Sequence, residues 1–329
     1  MRSSLQSILR NRQRPLTDDY QVLAYNIGCA AILAQRAARP SMRALWDAEV
    51  SVYSQWGEDG ILDFLCDLSG LSHPRVIEFG AGDFTECNSR FLADFRCAQV
   101  AAVDARPELE QAIRGRSDRW KTSVLPIVEW VTPETAVNAF RQAEAAFGGI
   151  DIVSVDLDGN DFWVIQALPL TGVQIVVCEF NPAFGYRHPI SIPRDDSFDR
   201  TKAHYSWLYF GASLRAFVNA LGARGFSFVG TNRACNNAFF LRRLPEGLPF
   251  NLPSDSLSPF TNFHFREGRS PDGSLSYEDP VAVLMATKDL PVVNTVTGEV
   301  VHLENILGDG NVPSPRSDLI QRRTQGEEA

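Results

Sequence analysis

Three carboxylates fall within six positions of the stretch Ser154–Trp163, SVDLDGNDFW, at Asp156, Asp158 and Asp161. Acid at that density could hold a divalent cation, accept a proton from a substrate, or cap a helix. An EF-hand calcium loop is excluded by spacing. Counted from Asp156, glycine falls at position four instead of six, and position twelve is Ala167 instead of an acid. The stretch continues the apolar run Ile152–Val155, so Asp156 should end a buried strand. A second run, Val173–Phe180, ends in Glu179 and is followed by Asn181, so these residues can converge with Asp156 and Asp158 on one crevice. Asp156, assisted by Glu179, reads as the proton acceptor. The set Asp156, Asp158 and Glu179 reads as a Mg²⁺ site that would orient vicinal hydroxyls and lower their pKa. Asp161 reads as the start of a helix that Asp158, Asn160 and Asp161 could cap, and Asp158 divides evenly between capping and chemistry.

A second chemical signal lies upstream. Val76–Phe84, VIEFGAGDF, is a strand run followed by a glycine turn, which lets a backbone approach a ligand closely. Dinucleotide binding would ask for a third glycine where Thr85 stands. The pattern Glu78-x-Gly80-x-Gly82 instead suits S-adenosyl-L-methionine, which brings an amino group, a sulfonium and a ribose diol but no phosphate. About twenty residues on, the run Val100–Val103 ends in Asp104, placed for two hydrogen bonds to ribose hydroxyls. The run Val124–Val128 ends in Glu129 and Trp130, which could bind and stack on a base, although a packed Trp130 fits equally. Between Pro182 and Trp207 the chain is polar and aromatic, and a loop of that length at the ligand end of a sheet is usually functional. It offers His204 and His188 as further bases. Tyr205, Trp207 and Tyr209 there suit a sugar or an aromatic acceptor, or in part the core.

The elements that must position these groups follow from the apolar pattern. The runs Val76–Phe79, Val100–Val103, Val124–Val128, Ile152–Val155, Val173–Phe180, Phe226–Val229 and Ala238–Leu241 alternate with helix-like stretches such as Pro133–Phe147 and Phe210–Ala223. Runs apolar on both faces, separated by helices, predict a Rossmann-like α/β sheet, mainly parallel and covered on both faces. The last two runs are joined too closely for a crossover and should pair antiparallel. Asp18 and Asp19 can cap a helix running to about Ala38. Three parts result: a helical extension over 1–50, a catalytic domain over 51–243, and a C-terminal extension over 244–329. The last should hold an irregular linker, a helix near Asp279–Asp289, a hairpin on Thr297-Gly298 and, from Gly308, a disordered tail.

Composition sets limits on partners. With 31 basic and 40 acidic residues, a formal charge of -9 disfavours nucleic acid. The apolar stretch from Val22 is too short and too interrupted to span a bilayer, with a signal or anchor segment as the lesser reading. Six cysteines without C-x-x-C spacing suit reduced, buried thiols in the cytoplasm, not a zinc site. The N-terminal helix and C-terminal hairpin could mediate a homodimer, although a monomer fits too.

Taken together, these residues resemble the class I S-adenosylmethionine-dependent methyltransferases, in their FkbM-like branch. The resemblance rests on Tyr53–Asp59 (YSQWGED), Val76–Asp83, Val103-Asp104, Ser154–Trp163, Phe210–Leu214 and Asn236–Phe240, and covers roughly residues 50–243. It implies a seven-stranded sheet with one reversed strand. It also implies methyl transfer, usually to a hydroxyl of a sugar or secondary metabolite, with a metal in only some similar enzymes. The expected function is O-methylation of a small-molecule acceptor. Glu78, Gly80, Gly82, Asp104, Glu129 and Trp130 would serve the cofactor, and Asp156, Glu179 and His204 the acceptor. The rivals are an NAD-dependent oxidoreductase and a non-catalytic interaction module of the same fold.

Overall fold

A computed structural model describes residues 16–116, 119–254, 257–261, 268–276 and 280–307. The start of the chain and the tail from Gly308 lie outside these residues. Seven strands form one sheet: β1 (Arg75–Phe79), β2 (Gln99–Asp104), β3 (Ser123–Val128), β4 (Ile152–Val155), β5 (Ile175–Glu179), β7 (Ser227–Thr231) and β8 (Asn237–Leu241). Their order is β3-β2-β1-β4-β5-β8-β7, and only β8 runs against the rest. This is the mainly parallel, Rossmann-like sheet that the apolar runs predict.

Every residue of β4, β5 and β8 is buried, as expected of strands covered on both faces. Alternation along β1 sorts its side chains. Ile77 and Phe79 join one core with Phe140, Phe162 and Phe217, while Val76 joins the other with Phe64, Leu65 and Leu92. The helix Pro133–Phe147 shows how local sequence sets a boundary. Thr132 accepts a hydrogen bond from the Thr135 N–H, proline occupies the first turn, and Gly148 ends the helix at φ +77°. An N-terminal helix covers Leu16–Ala38, so Asp18 and Asp19 lie within it instead of capping it. It is tied down where Arg36 (2.7 Å), Arg39 (3.0 Å) and Arg96 (2.6 Å) converge on buried Asp63. Its Val22, Leu23, Ile27 and Leu33 remain exposed.

Two features depart from expectation. The long segment after β5 is not merely a loop: Ile190–Ser191 forms β6, which pairs antiparallel with β9 (Pro291–Asn294). With β10 (Val300–His302), these strands make a second sheet, and the expected hairpin is thus its two other strands. Residues from both segments, Phe184, Ile190, Tyr209, Leu284, Val292 and Leu303 among them, share a third core. The expected C-terminal helix is Pro280–Thr287. Of the cysteines, Cys66, Cys87, Cys178 and Cys235 are buried, but Cys29 is half-buried and Cys97 exposed at a helix end. Among the described residues, no helix is long and apolar enough to cross a membrane.

Candidate active site

The chain works outward from β1 to β2 and β3, then returns to place β4 on the other side of β1. Ligands in open α/β sheets bind beyond the strand ends at such a switch. Here a cleft of about 1300 Å³ opens there. Its floor is the glycine loop. Gly80 has φ +88°, and a Cβ on it would stand 1.7 Å from the Asp156 carbonyl oxygen, so no side chain fits. Gly82, at φ +60°, donates its N–H to Asp104 Oδ2 at 2.8 Å, and Asp104 Oδ1 accepts from the Arg106 N–H at 2.8 Å. The strand-end acid therefore fixes the loop and still presents its carboxylate to the cleft.

Glu78 plays a different part from the cofactor contact expected of it. Strand alternation sends its side chain beneath the loop, where it is buried. One oxygen accepts from the Asn88 N–H at 2.8 Å, and the other from the Ser89 N–H at 2.9 Å and the Ser89 hydroxyl. Burial pushes its pKa up against the pull of these donors. Glu78 borders the cleft, but its oxygens are held by the protein.

The acidic stretch forms the opposite side of the floor. Asp161 opens the helix Asp161–Ala167, as predicted, but its side chain does not cap that helix. It folds back to accept from the N–H groups of Leu157 (2.7 Å) and Gly159 (2.9 Å), curling residues 156–160 into a tight loop. Burial lifts the Asp161 pKa to about 6. Asn160 does not cap with its side chain either: its amide donates to the Asp195 carbonyl at 2.6 Å. Asp158 projects to solvent with φ +55° and is paired with Arg200.

Asp156 and Glu179 end adjacent strands and come together with Asp158, each offering an oxygen within 4.8 Å of the others. Burial pushes the pKa values of both Asp156 and Glu179 well above the ordinary carboxylate range; the charges of Asp158, Asp161 and Glu78 add to this at Asp156, and those of Asp156, Asp158 and Asp161 at Glu179, while Arg200 pulls Glu179 back. Glu179 is 8% exposed, and its Oε2 has no hydrogen-bond partner among the described residues. Asn181, expected in the same group, is instead committed to the loop. Its amide donates to the carbonyls of Leu208 (2.9 Å) and Phe210 (3.0 Å), and its oxygen accepts from the Ala183 N–H.

Further corrections concern the walls. His204 does not line the cleft: its Nδ1 is 2.7 Å from the Ser206 hydroxyl, its ring leans on Tyr205, and burial lowers its pKa. His188 and Glu129 are also absent from the lining, and Glu129 is exposed. Trp130 does line it, half-exposed, with its indole N–H donating to the Asp196 carbonyl at 2.7 Å. Tyr209 is taken by packing, while Trp207 faces the cleft.

Several lining residues carried no chemical role in the sequence. Gln55 and Trp56 form a wall beside Glu58, which is 1% exposed and accepts from the amides of Asn232 (2.7 Å) and Asn237 (2.9 Å). The motif YSQWGED marks this wall, and its Asp59 shows why. Asp59 accepts from the N–H groups of Val52, Tyr53 and Ser54 at 2.7, 2.7 and 2.9 Å, bending the chain ahead of the helix Glu58–Leu68. Arg200, first residue of the short helix Arg200–Ala203, and Arg269, at an isolated bridge to Leu275, are also at the cleft, and neither carries a periodic signal.

No family model matches the chain, and no curated protein matches it. Among solved structures, the Methanococcus jannaschii fibrillarin pre-rRNA processing protein is 13% identical, covering 51% of this chain and 65% of its own, with a TM-score of 0.33. The chain therefore spans a little under two thirds of that protein. Coclaurine N-methyltransferase bound to N-methylheliamine and SAH is 15% identical over 70% of this chain and 69% of its own, TM-score 0.33. Human N-acetylserotonin methyltransferase in complex with SAM is 12% identical over 55% and 50%, TM-score 0.32. At these scores the likeness carries no argument, and the functional reading rests on the site itself.

Proposed function

We propose that the chain is an S-adenosylmethionine-dependent methyltransferase acting on a hydroxyl of a small acceptor. The observation that carries this reading is the character of the loop at the switch point. Its glycines bring the backbone close, but it is surrounded by Asp83, Glu86 and Asp104. A pyrophosphate would meet like charge there, whereas a ligand bearing ammonium and sulfonium groups would be attracted. Thr85, in place of a third glycine, bonds the Asp83 carboxylate and so fixes that acid at the loop. Asp104 would receive the ribose diol and Trp130 would cover the base.

When bound, the cofactor supplies an electrophilic methyl group. The chain's task is then to align an acceptor oxygen and remove its proton. The Asp156–Glu179 pair stands across the cleft for that purpose, and the aromatic side chains Phe198, Trp207 and Phe210 offer faces to a sugar-like acceptor. The three carboxylates also fit Mg²⁺, a hard cation that takes oxygen ligands, and the buried, unpartnered Glu179 Oε2 supports this. Asp156, Asp158 and Glu179 would hold the ion, with Asp158 leaving Arg200, and it would acidify a bound hydroxyl.

Calorimetric titration of the full chain with S-adenosylhomocysteine and with NAD tests the proposal. Binding of the first and not the second is expected. Tight NAD binding without S-adenosylhomocysteine binding overturns it in favour of an oxidoreductase, and binding of neither favours an interaction module. Asp156→Asn should keep S-adenosylhomocysteine affinity while lowering turnover about 100-fold or more, measured as product release on an acceptor found by screening hydroxylated compounds.

A further inference from the structure

We propose that the acceptor carries an anionic group, a carboxylate or a phosphate, and that Arg269 binds it. This rests on the methyltransferase reading for there being an acceptor, and adds its charge. Among the described residues, three arginines line the cleft. Arg106 sits 3.9 Å from Asp104, and Arg200 pairs with Asp158. Arg269 has no carboxylate partner among the described residues. Its guanidinium lies over the Trp207 ring, 4.5 Å from the centroid, and its Nε is buried without a hydrogen-bond partner. A buried donor on a permanently charged group costs free energy until something accepts from it. Stacking on an indole leaves the edge of the guanidinium, where its N–H groups point, available for a bidentate anion.

The surroundings hold this side chain in place. The Arg269 N–H donates to the Ser206 carbonyl at 3.1 Å, and Arg269 bridges Leu275 across the turn closed by Ser270 N–H to Ser274 carbonyl at 2.9 Å. Trp207 is held at φ +61°, a conformation costly for a bulky residue by about 1–3 kcal/mol. The next residue, Leu208, is bonded through its carbonyl to Asn181, two positions beyond Glu179. Arg269 thus sits on a wall tied through Leu208 and Asn181 to the strand end that carries Glu179. A cation would oppose the positively charged cofactor; across from it, it suits an anionic acceptor. The residue comes from the C-terminal segment, which thereby gains a part in substrate choice.

The test uses the full chain saturated with S-adenosylhomocysteine, titrated by calorimetry with inorganic phosphate and, separately, with acetate. The Trp207 signal is isolated by comparison with Trp207→Phe. At least one anion should bind in the millimolar range and quench Trp207, and the tighter of the two indicates the acceptor's group. Arg269→Gln should weaken that binding at least tenfold, Arg269→Lys should retain part of it, and Arg106→Gln should leave it unchanged. S-adenosylhomocysteine affinity should stay constant in both Arg269 variants, which also shows that they fold. Should Arg269→Gln fail to fold, Arg269→Lys and the Trp207 signal decide. Absence of anion binding, or binding indifferent to Arg269, overturns the proposal and leaves the methyltransferase reading intact. Arg269-dependent anion binding without S-adenosylhomocysteine binding sinks the methyltransferase reading alone.

Discussion

The two sides of the cleft differ in how far their polar groups are satisfied. On the side of the glycine loop, Glu78 and Asp104 are engaged by backbone N–H groups at 2.8–2.9 Å. On the other side, Asp156 and Glu179 crowd together with raised pKa values, and among the described residues Glu179 Oε2 accepts nothing and the Arg269 Nε donates to nothing. Satisfied groups build shape. Groups left wanting mark where a ligand completes the structure, because burying them without partners costs stability that only binding returns. Under the proposed function, the contrast fits scaffolding for one set of acids and chemistry for the other.

The contrast can be broken most severely at Gly80. Gly80→Ala puts a methyl group into the Asp156 carbonyl at positive φ, so we expect destabilisation of at least about 3 kcal/mol and loss of S-adenosylhomocysteine binding, seen in thermal melts and calorimetry. A variant that melts like the wild type would show the loop to be pliable. Glu78→Gln replaces an acceptor of three hydrogen bonds by an amide that can meet only some of them. About 1–3 kcal/mol of stability should go, with cofactor affinity falling as residues 88–89 loosen. If stability held and only affinity fell, Glu78 would be a direct cofactor contact after all.

Asp59 sharpens the comparison through pH. Burial lifts its pKa from 3.8 to about 7, so the native state holds this proton more tightly than the unfolded chain. Its stabilising contribution is present below about pH 4 and is lost as pH rises through about 7. The Tm of the wild type relative to Asp59→Asn should therefore rise as pH is lowered from about 8 to about 5. A difference that does not change with pH would mean the three N–H donors keep Asp59 ionised throughout. The smallest effects are expected at His204→Ala and Glu129→Gln, with acceptor turnover within about twofold of wild type. A large loss at His204 would bring it back into the reaction through a movement of its loop.

How much of this was legible in the sequence differs by residue for physical reasons. Asp156 and Glu179 could be paired in advance, since apolar runs locate strands and parallel strands present their carboxyl ends together. The reversed β8 followed from the short link after β7. The hydrogen bonding of Glu78 was less legible, although alternation points to it: the two-residue period that places Ile77 and Phe79 in one core sends Glu78 to the other face. Nothing in the local pattern marked Arg269 or β6, because both acquire meaning only when distant segments meet. His204 was chosen for what imidazole can do, and residue type alone does not report direction.

The second sheet bears on the order in which the site is made. Ile190 pairs with Asn294, about a hundred residues away, whereas β1, β2 and β3 follow one another closely in the chain. Closing a loop that long is entropically slow and comes after local pairing. The half of the cleft built on the glycine loop can thus be complete while the wall carrying Trp207 and Arg269 is still assembling. The same wall is the natural place for local opening once the protein is folded. In hydrogen exchange, amides of β6 and β9 should lose protection before those of β1 and β4, giving a small molecule a way in without disturbing the main sheet.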